Sequence, residues 1–219
     1  LQDHAGKKLW FGTDRGVNSY NGTTWDTVTT DDGLPDSSVF KIVEDRQGYL
    51  WFLTYGGVCR FDGVRCRPID GLDNFVVDMA QDRQDVLWFN TPLGLLRYNG
   101  ETVAPFRNDE LVDSIILSMG QDNAGNLWFG TPRGATRYDG ENWRTFTKTD
   151  GLRDNSVTYI LSGSAGNVWF NTRLGITRYD GASWRTLTSP GETLTIGAFL
   201  EDRAGTLWCS AWRQIFAES

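Results

Sequence analysis

The stretch that decides the fold is Gly125–Phe146, which reads GNLWFGTPRGATRYDGENWRTF. It recurs along the chain, and each copy opens on a Leu-Trp or Val-Trp pair. The tryptophans that mark the copies lie 37 to 41 residues apart, and they are Trp10, Trp51, Trp88, Trp128, Trp169 and Trp208. A fixed period in this range is typical of a repeat architecture.

Each copy contains four short apolar runs in the same order. Around Trp128 these runs are Ile115–Met119, Leu127–Thr131, Ala135–Tyr138 and Trp143–Thr147. Asp-x-x-Gly and Asp-Gly turn signals separate the runs, and no run has the apolar period of a helix, so consecutive antiparallel hairpins are expected. A lone sheet of this size cannot bury both faces, so the copies must stack. The sequence predicts one all-β domain over residues 1–219, a β-propeller of about six four-stranded blades.

The first and last copies are incomplete. Leu1–Gly6 matches the end of a first run and its turn, and the last copy stops after Ile215 and Phe216 without an outermost strand. We expect either a loosely closed six-bladed ring or a piece of a larger propeller. An open flank would be an aggregation liability, so further propeller repeats or another protein are the expected partners there.

Two inner copies are irregular in their fourth run. Cys66 stands where other copies carry Trp, which predicts a weak strand. Pro105 lies inside the fourth run of the third copy, and a proline there fits an edge strand whose missing amide faces solvent.

Charge and hydropathy exclude several classes of partner. The chain carries 21 basic and 28 acidic residues, a net charge of −7, which disfavours nucleic acid or an anionic membrane as a partner. No apolar stretch approaches the ~20 residues of a membrane span, and the N-terminus lacks a signal-peptide pattern. We therefore expect no nucleic-acid partner and no membrane contact from this segment.

The three cysteines are too few and too scattered for a disulfide framework or a zinc site. The Asp62-Gly63 turn places Cys59 and Cys66 on adjacent strands, so a cross-strand disulfide is one alternative. The sequence favours the other, two ordinary buried thiols.

Catalytic side chains are scarce. His4 is the only histidine and lies near the N-terminus, so no triad and no three-histidine metal site can be built. The paired carboxylates Asp31-Asp32 and Asp109-Glu110 are interpreted as solvated loop residues rather than as groups for hydrolysis or calcium binding. The prediction is a protein that is not an enzyme and that uses no cofactor and no metal.

The sequence motifs of the repeat resemble those of a known family. The pattern is Gly-x-Leu-Trp-Phe-Gly-Thr, then Gly-x-x-Arg-Tyr-Asp-Gly, Trp-Arg-Thr-Phe-Thr and Asp-Gly-Leu-x-x-Asn-Ser-Val, unbroken over Asn126–Val157. It resembles the two-component regulator propeller repeats, found in periplasmic sensing regions of bacterial hybrid histidine kinases and in other sensor and secreted proteins. The resemblance implies a periplasmic or extracellular location and a ligand-sensing role.

The loops that join blades, together with those between second and third strands, lie on one face of a propeller, where ligands usually bind. The candidate ligand-binding residues in these loops are Arg15, Asp32, Tyr55, Arg133, Asp150 and Arg173. Arg15, Arg133 and Arg173 all lie in the turn between the second and third runs, and three guanidiniums at one funnel would grip a carboxylate or sulfate. The sequence favours the plainer interpretation that each arginine pairs with the acidic loop beside it.

Two other recurrent sets are interpreted as structural. The arginines that precede each Tyr should stack on neighbouring aromatic rings, and they are Arg97, Arg137 and Arg178. The turn aspartates, in Asp-x-x-Gly segments or, at Asp82, in an Asp-x-x-Asp segment, should accept backbone hydrogen bonds within the turn. They are Asp45, Asp82, Asp122 and Asp202.

Three functions remain open on the sequence alone. The leading hypothesis is a non-enzymatic propeller that senses or binds a ligand, with a small molecule or an oligosaccharide as the ligand class. The second is a structural or protein-interaction module of a secreted or surface assembly. The third is a carbohydrate-active enzyme, which only the acidic loops would support.

Overall fold

The computed structural model describes residues 1–4, 6–107, 111, 113, 115–163, 166–187, 196–202, 206–211 and 214–218, with backbone only at 196–200, 210–211 and 214–218. The described strands form six antiparallel sheets in which each strand pairs with the next one along the chain. Each sheet is one blade. The fold is a β-propeller, as the repeat predicts.

The first three blades follow the order of the chain. Blade 1 has three strands, β1 (Leu9–Thr13), β2 (Gly16–Tyr20) and β3 (Trp25–Val28); blade 2 has four, β4 (Val39–Glu44), β5 (Leu50–Thr54), β6 (Gly57–Phe61) and β7 (Cys66–Pro68); blade 3 has four, β8 (Asp78–Gln81), β9 (Leu87–Thr91), β10 (Gly94–Tyr98) and β11 (Val103–Phe106). A short 3₁₀ helix, Thr30–Asp32, lies between blades 1 and 2.

The last three blades repeat the pattern. Blade 4 has β12 (Ser118–Gln121), β13 (Leu127–Thr131), β14 (Gly134–Tyr138) and β15 (Trp143–Phe146); blade 5 has β16 (Val157–Ser162), β17 (Val168–Thr172), β18 (Gly175–Tyr179) and β19 (Trp184–Thr186); blade 6 has β20 (Ile196–Glu201), β21 (Leu207–Ala211) and β22 (Gln214–Glu218).

The chain divides into two compact units, which we describe separately. Unit 1 comprises Leu1–Gln81 and Asp85–Phe106, and unit 2 comprises Asp82–Gln84 and Arg107–Ser219. Unit 1 therefore contains blades 1 to 3, and unit 2 contains blades 4 to 6. The single domain over 1–219 stays a prediction.

The expected irregularities are confirmed. Among the described strands, blades 1 and 6 have three each. Gln2 forms a bridge with Leu9, so the first residues occupy the place of a first strand in blade 1. The fourth strand of blade 2, β7, is short at three residues, the same length as β19 of blade 5. In blade 3, Pro105 lies on β11 at the edge of the sheet, where its missing amide breaks no ladder.

The first strand of blade 4 starts later than its apolar run. The sequence predicts Ile115–Met119, whereas β12 spans Ser118–Gln121. Pairing with β13 begins at Ser118 opposite Gly130, and the exposed Ile115 precedes this ladder. An apolar run therefore marks the strand, but its partner sets the boundary.

Aromatic side chains fill the space between neighbouring blades within each unit. In unit 1 the ring of Trp10 lies 6.1 Å from that of Phe52 in the next blade, and the rings of Trp51 and Phe89 lie 5.9 Å apart. In unit 2 Trp128 and Phe170 repeat the contact at 5.1 Å. The landmark tryptophan of one blade thus packs against the phenylalanine that follows the tryptophan of the next blade.

The preference for two free thiols at Cys59 and Cys66 is wrong. The two residues form a disulfide, with Cα atoms 5.5 Å apart, that links β6 to β7. Both side chains are buried in the cluster between blades 1 and 2. A hairpin turn brings the two positions within bonding distance, because Cys66 pairs with Phe61 on β6, two residues from Cys59.

Candidate functional site

The Asp-x-x-Gly aspartates do more than the turn role that the sequence predicts. Asp122 Oδ1 accepts hydrogen bonds from the backbone N–H groups of Ala124 and Asn126, as expected of the turn. Its Oδ2 accepts a hydrogen bond of 2.8 Å from the indole N–H of Trp128. Asp45 with Trp51 and Asp202 with Trp208 repeat this contact at 2.7 and 2.8 Å. The carboxylate therefore joins the turn to the tryptophan of its own blade.

Blade 5 replaces this aspartate with a residue from the next blade. Gly163 stands at the aspartate position, and the indole N–H of Trp169 donates instead to Glu201 Oε2 at 2.9 Å. A Cβ atom at Gly163 would overlap Glu201 Oε2. The glycine therefore makes room for the incoming carboxylate.

Blade 1 leaves its tryptophan without this partner. Asp3 precedes Trp10 by seven residues, whereas Asp122 precedes Trp128 by six. Asp3 accepts from the backbone of Lys7 and Lys8, and the buried Trp10 N–H has no acceptor among the described residues. One inserted residue therefore accounts for the missing contact.

The strand arginines stack on aromatic rings, as predicted. The Arg97 guanidinium lies 4.8 Å from the ring centre of Trp88, and the matching distances are 5.9 Å for Arg137 over Trp128 and 5.8 Å for Arg178 over Trp169. These contacts occur within single blades, so each arginine supports the packing of its own blade.

His4 is anchored at the start of the chain. Its backbone N–H donates to Glu44 Oε2 at 2.7 Å, and its Nδ1 lies 3.5 Å from Glu44 Oε1. The two residues help to line a cavity of about 500 Å³ between the turns of blades 1 and 2. Because both oxygens of Glu44 contact His4, the pair ties the chain's first residues to blade 2. Within the described residues, no group of three or more His, Cys, Asp or Glu is arranged to hold a metal ion.

Two of the predicted site carboxylates are engaged in their own loops. Asp32 Oδ2 accepts from the Thr29 backbone N–H at 2.8 Å, and Asp150 Oδ2 accepts from that of Thr147 at 2.9 Å. In each case the threonine hydroxyl donates to the same oxygen. Asp32 and Asp150 therefore cap equivalent turns. Of the paired carboxylates, Asp109-Glu110 lies outside the described residues.

The three loop arginines lie in turns of three different blades. Arg15 lies in unit 1, Arg133 and Arg173 lie in unit 2, and all three side chains are exposed. None of them forms a salt bridge with a described residue. Pairing with the adjacent acidic loops is therefore not seen within the described residues, which leave out Asp109-Glu110, and both interpretations of these arginines stay predictions.

Tyr55 lies in a cluster of aromatic residues that the sequence did not predict. The cluster comprises Phe40, Tyr55 and Phe75, which we call the aromatic cluster. Tyr55 stacks on Phe75 with ring centres 5.4 Å apart and an interplanar angle of 11°. Phe40 lies 5.3 Å from Tyr55 and 5.2 Å from Phe75. Tyr55 nevertheless remains 62% exposed.

The topology of blade 2 explains how these rings meet. Phe40 lies near the start of β4, Tyr55 lies in the turn between β5 and β6, and Phe75 lies in the connection between β7 and β8. In an antiparallel sheet of four sequential strands, these three points fall at the same end of the strands. A sequence signal existed, because Tyr55 is an aromatic residue at a turn position where four other copies carry Asp14, Pro92, Pro132 and Arg173. Phe40 and Phe75 gave no such signal, because they belong to segments of unrelated pattern.

Two clefts lie beside the aromatic cluster, on either side of the connection from β7 to β8. The first has a volume of about 360 Å³ and is lined by Leu72, Phe75, Val76, Pro92, Leu93 and Leu96, with Gly71, Asn74 and Thr91. The second has a volume of about 340 Å³ and is lined by Pro35, Gly56, Val58, Pro68, Ile69 and Leu72, with Asp70, Gly71 and Asp73. We call these the apolar cleft and the acidic cleft.

Exposed apolar and acidic residues surround the two clefts. Leu93 is 99% exposed beside the apolar cleft. Asp70 and Asp73 are exposed on the acidic cleft, and neither forms a salt bridge with a described residue. No Lys, Arg or His is among the described residues that line either cleft. We call the end of unit 1 that carries the aromatic cluster and the two clefts the loop edge. The loop edge is apolar at its centre and negative at its rim.

The chain matches a family model and several solved structures. The two component regulator propeller model matches residues 33–56 and 110–133. No curated protein sequence matches the chain. None of the described helices is long and apolar enough to cross a bilayer.

The extracellular domain assigned to a hybrid two-component system of B. thetaiotaomicron superposes with a TM-score of 0.76 at 24% identity, over 98% of this chain and 32% of that domain. A catalytically inactive virginiamycin B lyase from Staphylococcus aureus, solved with quinupristin, gives 0.70 at 15% identity over 99% and 78%. PorZ, a surface component of the type-IX secretion system of Porphyromonas gingivalis, gives 0.70 at 14% identity over 97% and 38%.

At these identities the solved structures share only the fold, and the chain spans about a third of the length of the two-component domain. The repeat match is independent of that likeness, because it rests on the sequence of two segments. Together the comparisons confirm the β-propeller fold and the resemblance to two-component regulator propellers.

Proposed function

We propose that this chain is an extracytoplasmic recognition propeller, which binds a ligand or partner without transforming it. The observation that carries the proposal is the exposed aromatic cluster, with Tyr55 stacked on Phe75 beside two clefts of 340 and 360 Å³. Small-molecule sites are commonly concave, largely apolar and in this size range, about 300 to 1,000 Å³. Exposed aromatic rings contribute strongly to binding when a ligand covers them.

The location outside the cytoplasm has three supports. The two-component regulator repeats occur at residues 33–56 and 110–133, and the similar B. thetaiotaomicron structure is an extracellular domain. The Cys59–Cys66 disulfide is independent of both, since such bonds persist in oxidising compartments and are rare in a reducing cytosol.

A ligand screen with two tyrosine variants tests this proposal. The wild-type chain is screened by calorimetry against oligosaccharide fragments, acidic sugars and short peptides. Tyr55→Ala should weaken any interaction by about tenfold, because removal of a central aromatic contact costs more than about 1 kcal/mol. Tyr49→Ala is the matched control, since Tyr49 is a partly exposed tyrosine at the opposite edge of the same blade.

The screen also separates this site from the loop arginines. Loss of binding in Arg133→Ala with Arg173→Ala, and retention in Tyr55→Ala, would move the site to unit 2. A chain that binds no member of the screen would contradict ligand recognition. Turnover of an oligosaccharide that mutation of the acidic loops abolishes would instead support the enzyme hypothesis.

A second candidate function, docking of a further propeller blade or another protein, rests on the exposed face of blade 1. Phe11 and Trp25 are 43% and 61% exposed there, with ring centres 5.5 Å apart. The equivalent Phe129 of blade 4 is fully buried. Apolar faces of this kind usually mark an interaction surface.

Light scattering tests this second candidate. Wild-type protein should associate with itself or capture a partner, and Phe11→Asp should return a monodisperse monomer. Val64→Asp is the control, because Val64 is an exposed apolar residue in a turn of blade 2. Monomeric wild-type protein that binds no partner at this face would count against the docking role.

A further inference from the structure

The two clefts of blades 2 and 3 together define the chemistry of an occupant. We infer that this loop edge of unit 1 binds a cationic peptide, with one large apolar side chain in the apolar cleft and Lys or Arg side chains against Asp70 and Asp73. The inference rests on the proposed recognition function and names its ligand class.

The lining of the apolar cleft argues against a sugar. Leu72, Phe75, Val76, Pro92, Leu93 and Leu96 contribute hydrocarbon surface. Its polar side chains are already engaged, because the Thr91 hydroxyl donates to the Gly94 carbonyl at 2.8 Å and Asn74 donates to Asp73 at 3.3 Å. A sugar hydroxyl buried there would lose its hydrogen bonds to water, whereas an aliphatic or aromatic side chain would lose none.

Leu93 and the aromatic cluster extend this apolar surface out of the cleft. Leu93 is 99% exposed, and Phe75 both lines the cleft and stacks on Tyr55. An extended peptide that places one side chain in the cleft would cover these rings with its neighbouring residues. Aromatic-lined grooves of this kind bind extended peptide segments.

The charge around the clefts selects the sign of the partner. Asp70 and Asp73 lie on the acidic cleft, which shares Gly71 and Leu72 with the apolar cleft. Nearby Lys41 is paired with Asp78, so this lysine adds no free positive charge. The chain's net charge of −7 has the same sign as the rim. Complementary charge steers a cationic partner to this edge and disfavours an acidic one.

Tyr55 adds a second means of holding a cation. Its exposed ring lies on the turn whose Gly56 lines the acidic cleft. A Lys or Arg side chain over such a ring gains about 0.5 to 1 kcal/mol at an exposed site. The aromatic cluster thus favours a basic residue beside the apolar anchor.

Synthetic peptides labelled with fluorescein test the inference by anisotropy on the full 219-residue chain. The probe carries one central Trp flanked by two Lys on each side. One comparison peptide replaces Lys with Glu, and another replaces Trp with Ser. We expect the Lys-Trp peptide to bind, each comparison peptide to bind at least about tenfold more weakly, and added salt to weaken binding.

Protein variants locate the contact. Asp70→Asn with Asp73→Asn should weaken the Lys-Trp peptide by about three- to tenfold, the range expected for two exposed ion pairs. Leu93→Ser should weaken it by at least about fivefold. The controls are Glu101→Gln with Glu141→Gln, which makes the same charge change in turns of blades 3 and 4, and Val64→Ser. All substituted residues are exposed, and thermal melting checks that each variant folds.

The possible results separate this inference from the proposed function. If the substitutions at Asp70, Asp73 and Leu93 leave binding of the Lys-Trp peptide unchanged, the proposed peptide site is wrong. Failure of this peptide, together with Tyr55-dependent binding of an oligosaccharide or an acidic peptide, overturns the inference and leaves the recognition function standing. Failure of every ligand class overturns both.

Discussion

At the scale of single residues, Asp122 does two tasks with one carboxylate. One oxygen holds the turn through two backbone N–H groups, and the other binds the indole of Trp128. Trp128 is almost fully buried, so its N–H has no access to water. Removal of the carboxylate therefore leaves a buried donor without a partner.

We predict that Asp122→Ala lowers the free energy of unfolding by about 3 kcal/mol, because loss of several hydrogen bonds leaves a buried N–H unsatisfied. Urea denaturation gives the value. Asp31→Ala is the control, since Asp31 is an exposed loop carboxylate and a surface change of this kind costs about 0.5 kcal/mol or less. Equal stability of the two variants would contradict this role of the aspartate.

The Asp-Gly turns between third and fourth strands predict a response to acid. Hydrogen bonds from the Ser183 hydroxyl and from the backbone of Ser183 and Ala182 lower the pKa of Asp180 from 3.8 to about 2. Backbone N–H groups of Arg65 and Val64 likewise lower the pKa of Asp62 to about 2. A carboxyl group with a lowered folded pKa stabilises the fold above its unfolded pKa, and this contribution is lost as the pH falls through the folded value.

Asp180→Asn should therefore differ most from wild type above about pH 4, and the difference should vanish as the pH falls from about 4 to about 2. Unfolding measured across this range gives the curve. Blade 3 provides the reciprocal test, because Asn99 accepts the same backbone bonds, from Glu101 and Thr102. Asn99→Asp should gain the pH dependence that Asp180→Asn loses, and a flat response in both variants would refute the assignment.

At the scale of elements, the short strand β7 depends on a covalent link. It spans only Cys66–Pro68, and the Cys59–Cys66 disulfide ties it to β6. In the chain-entropy account, closing a loop of this length stabilises the folded state by about 2.5 kcal/mol. Because Cys66 belongs to the core between blades 1 and 2, the bond also supports the packing of those blades.

Reduction should lower the free energy of unfolding by about 2.5 kcal/mol. Thiol counting supplies the direct check. The chain has three cysteines, so denatured protein should show one reactive thiol, Cys209, without reductant and three with it. Three thiols without reductant would show that the bond is absent.

The glutamate of blade 6 gives a prediction about neighbouring elements. Glu201→Ala should destabilise blade 5 by about 1 to 3 kcal/mol, because the N–H of Trp169 loses its acceptor. Gly163→Asp with Glu201→Ala should restore part of this stability, since it recreates the arrangement of Asp122 and Trp128. Urea denaturation of the single and double variants measures the recovery. No recovery in the double variant would argue against equivalence of the two carboxylates.

At the scale of the whole molecule, the repeat made the blades predictable. The landmark tryptophans, the strand arginines and the turn aspartates recur at similar spacing, and local chemistry gives them the same role in most copies. Blades 1 and 5 depart from this pattern, because Asp3 is displaced by one residue and Gly163 stands in place of the aspartate. Boundaries such as that of β12 were less predictable, because pairing with β13 fixes them. The disulfide was underestimated, since three scattered cysteines give no framework signal.

The candidate site was only partly predictable, because it uses residues outside the repeat pattern. Tyr55 stood out as a departure in its turn. Phe40 and Phe75 come from segments that meet it only through the topology of blade 2. Asp32 and Asp150 illustrate the converse, since both lie in the expected loops but use a carboxylate oxygen to cap a turn.

Amide hydrogen exchange shows directly whether a ligand is recognised at the loop edge of unit 1. It is measured on the wild-type chain with and without the tightest binder among the peptides and oligosaccharides described above. We expect protection concentrated at residues 35–41, 55–58, 68–76 and 91–96, which carry the aromatic cluster and line the two clefts. Protection centred instead on the turns that carry Arg133 and Arg173, with these segments unchanged, would contradict it.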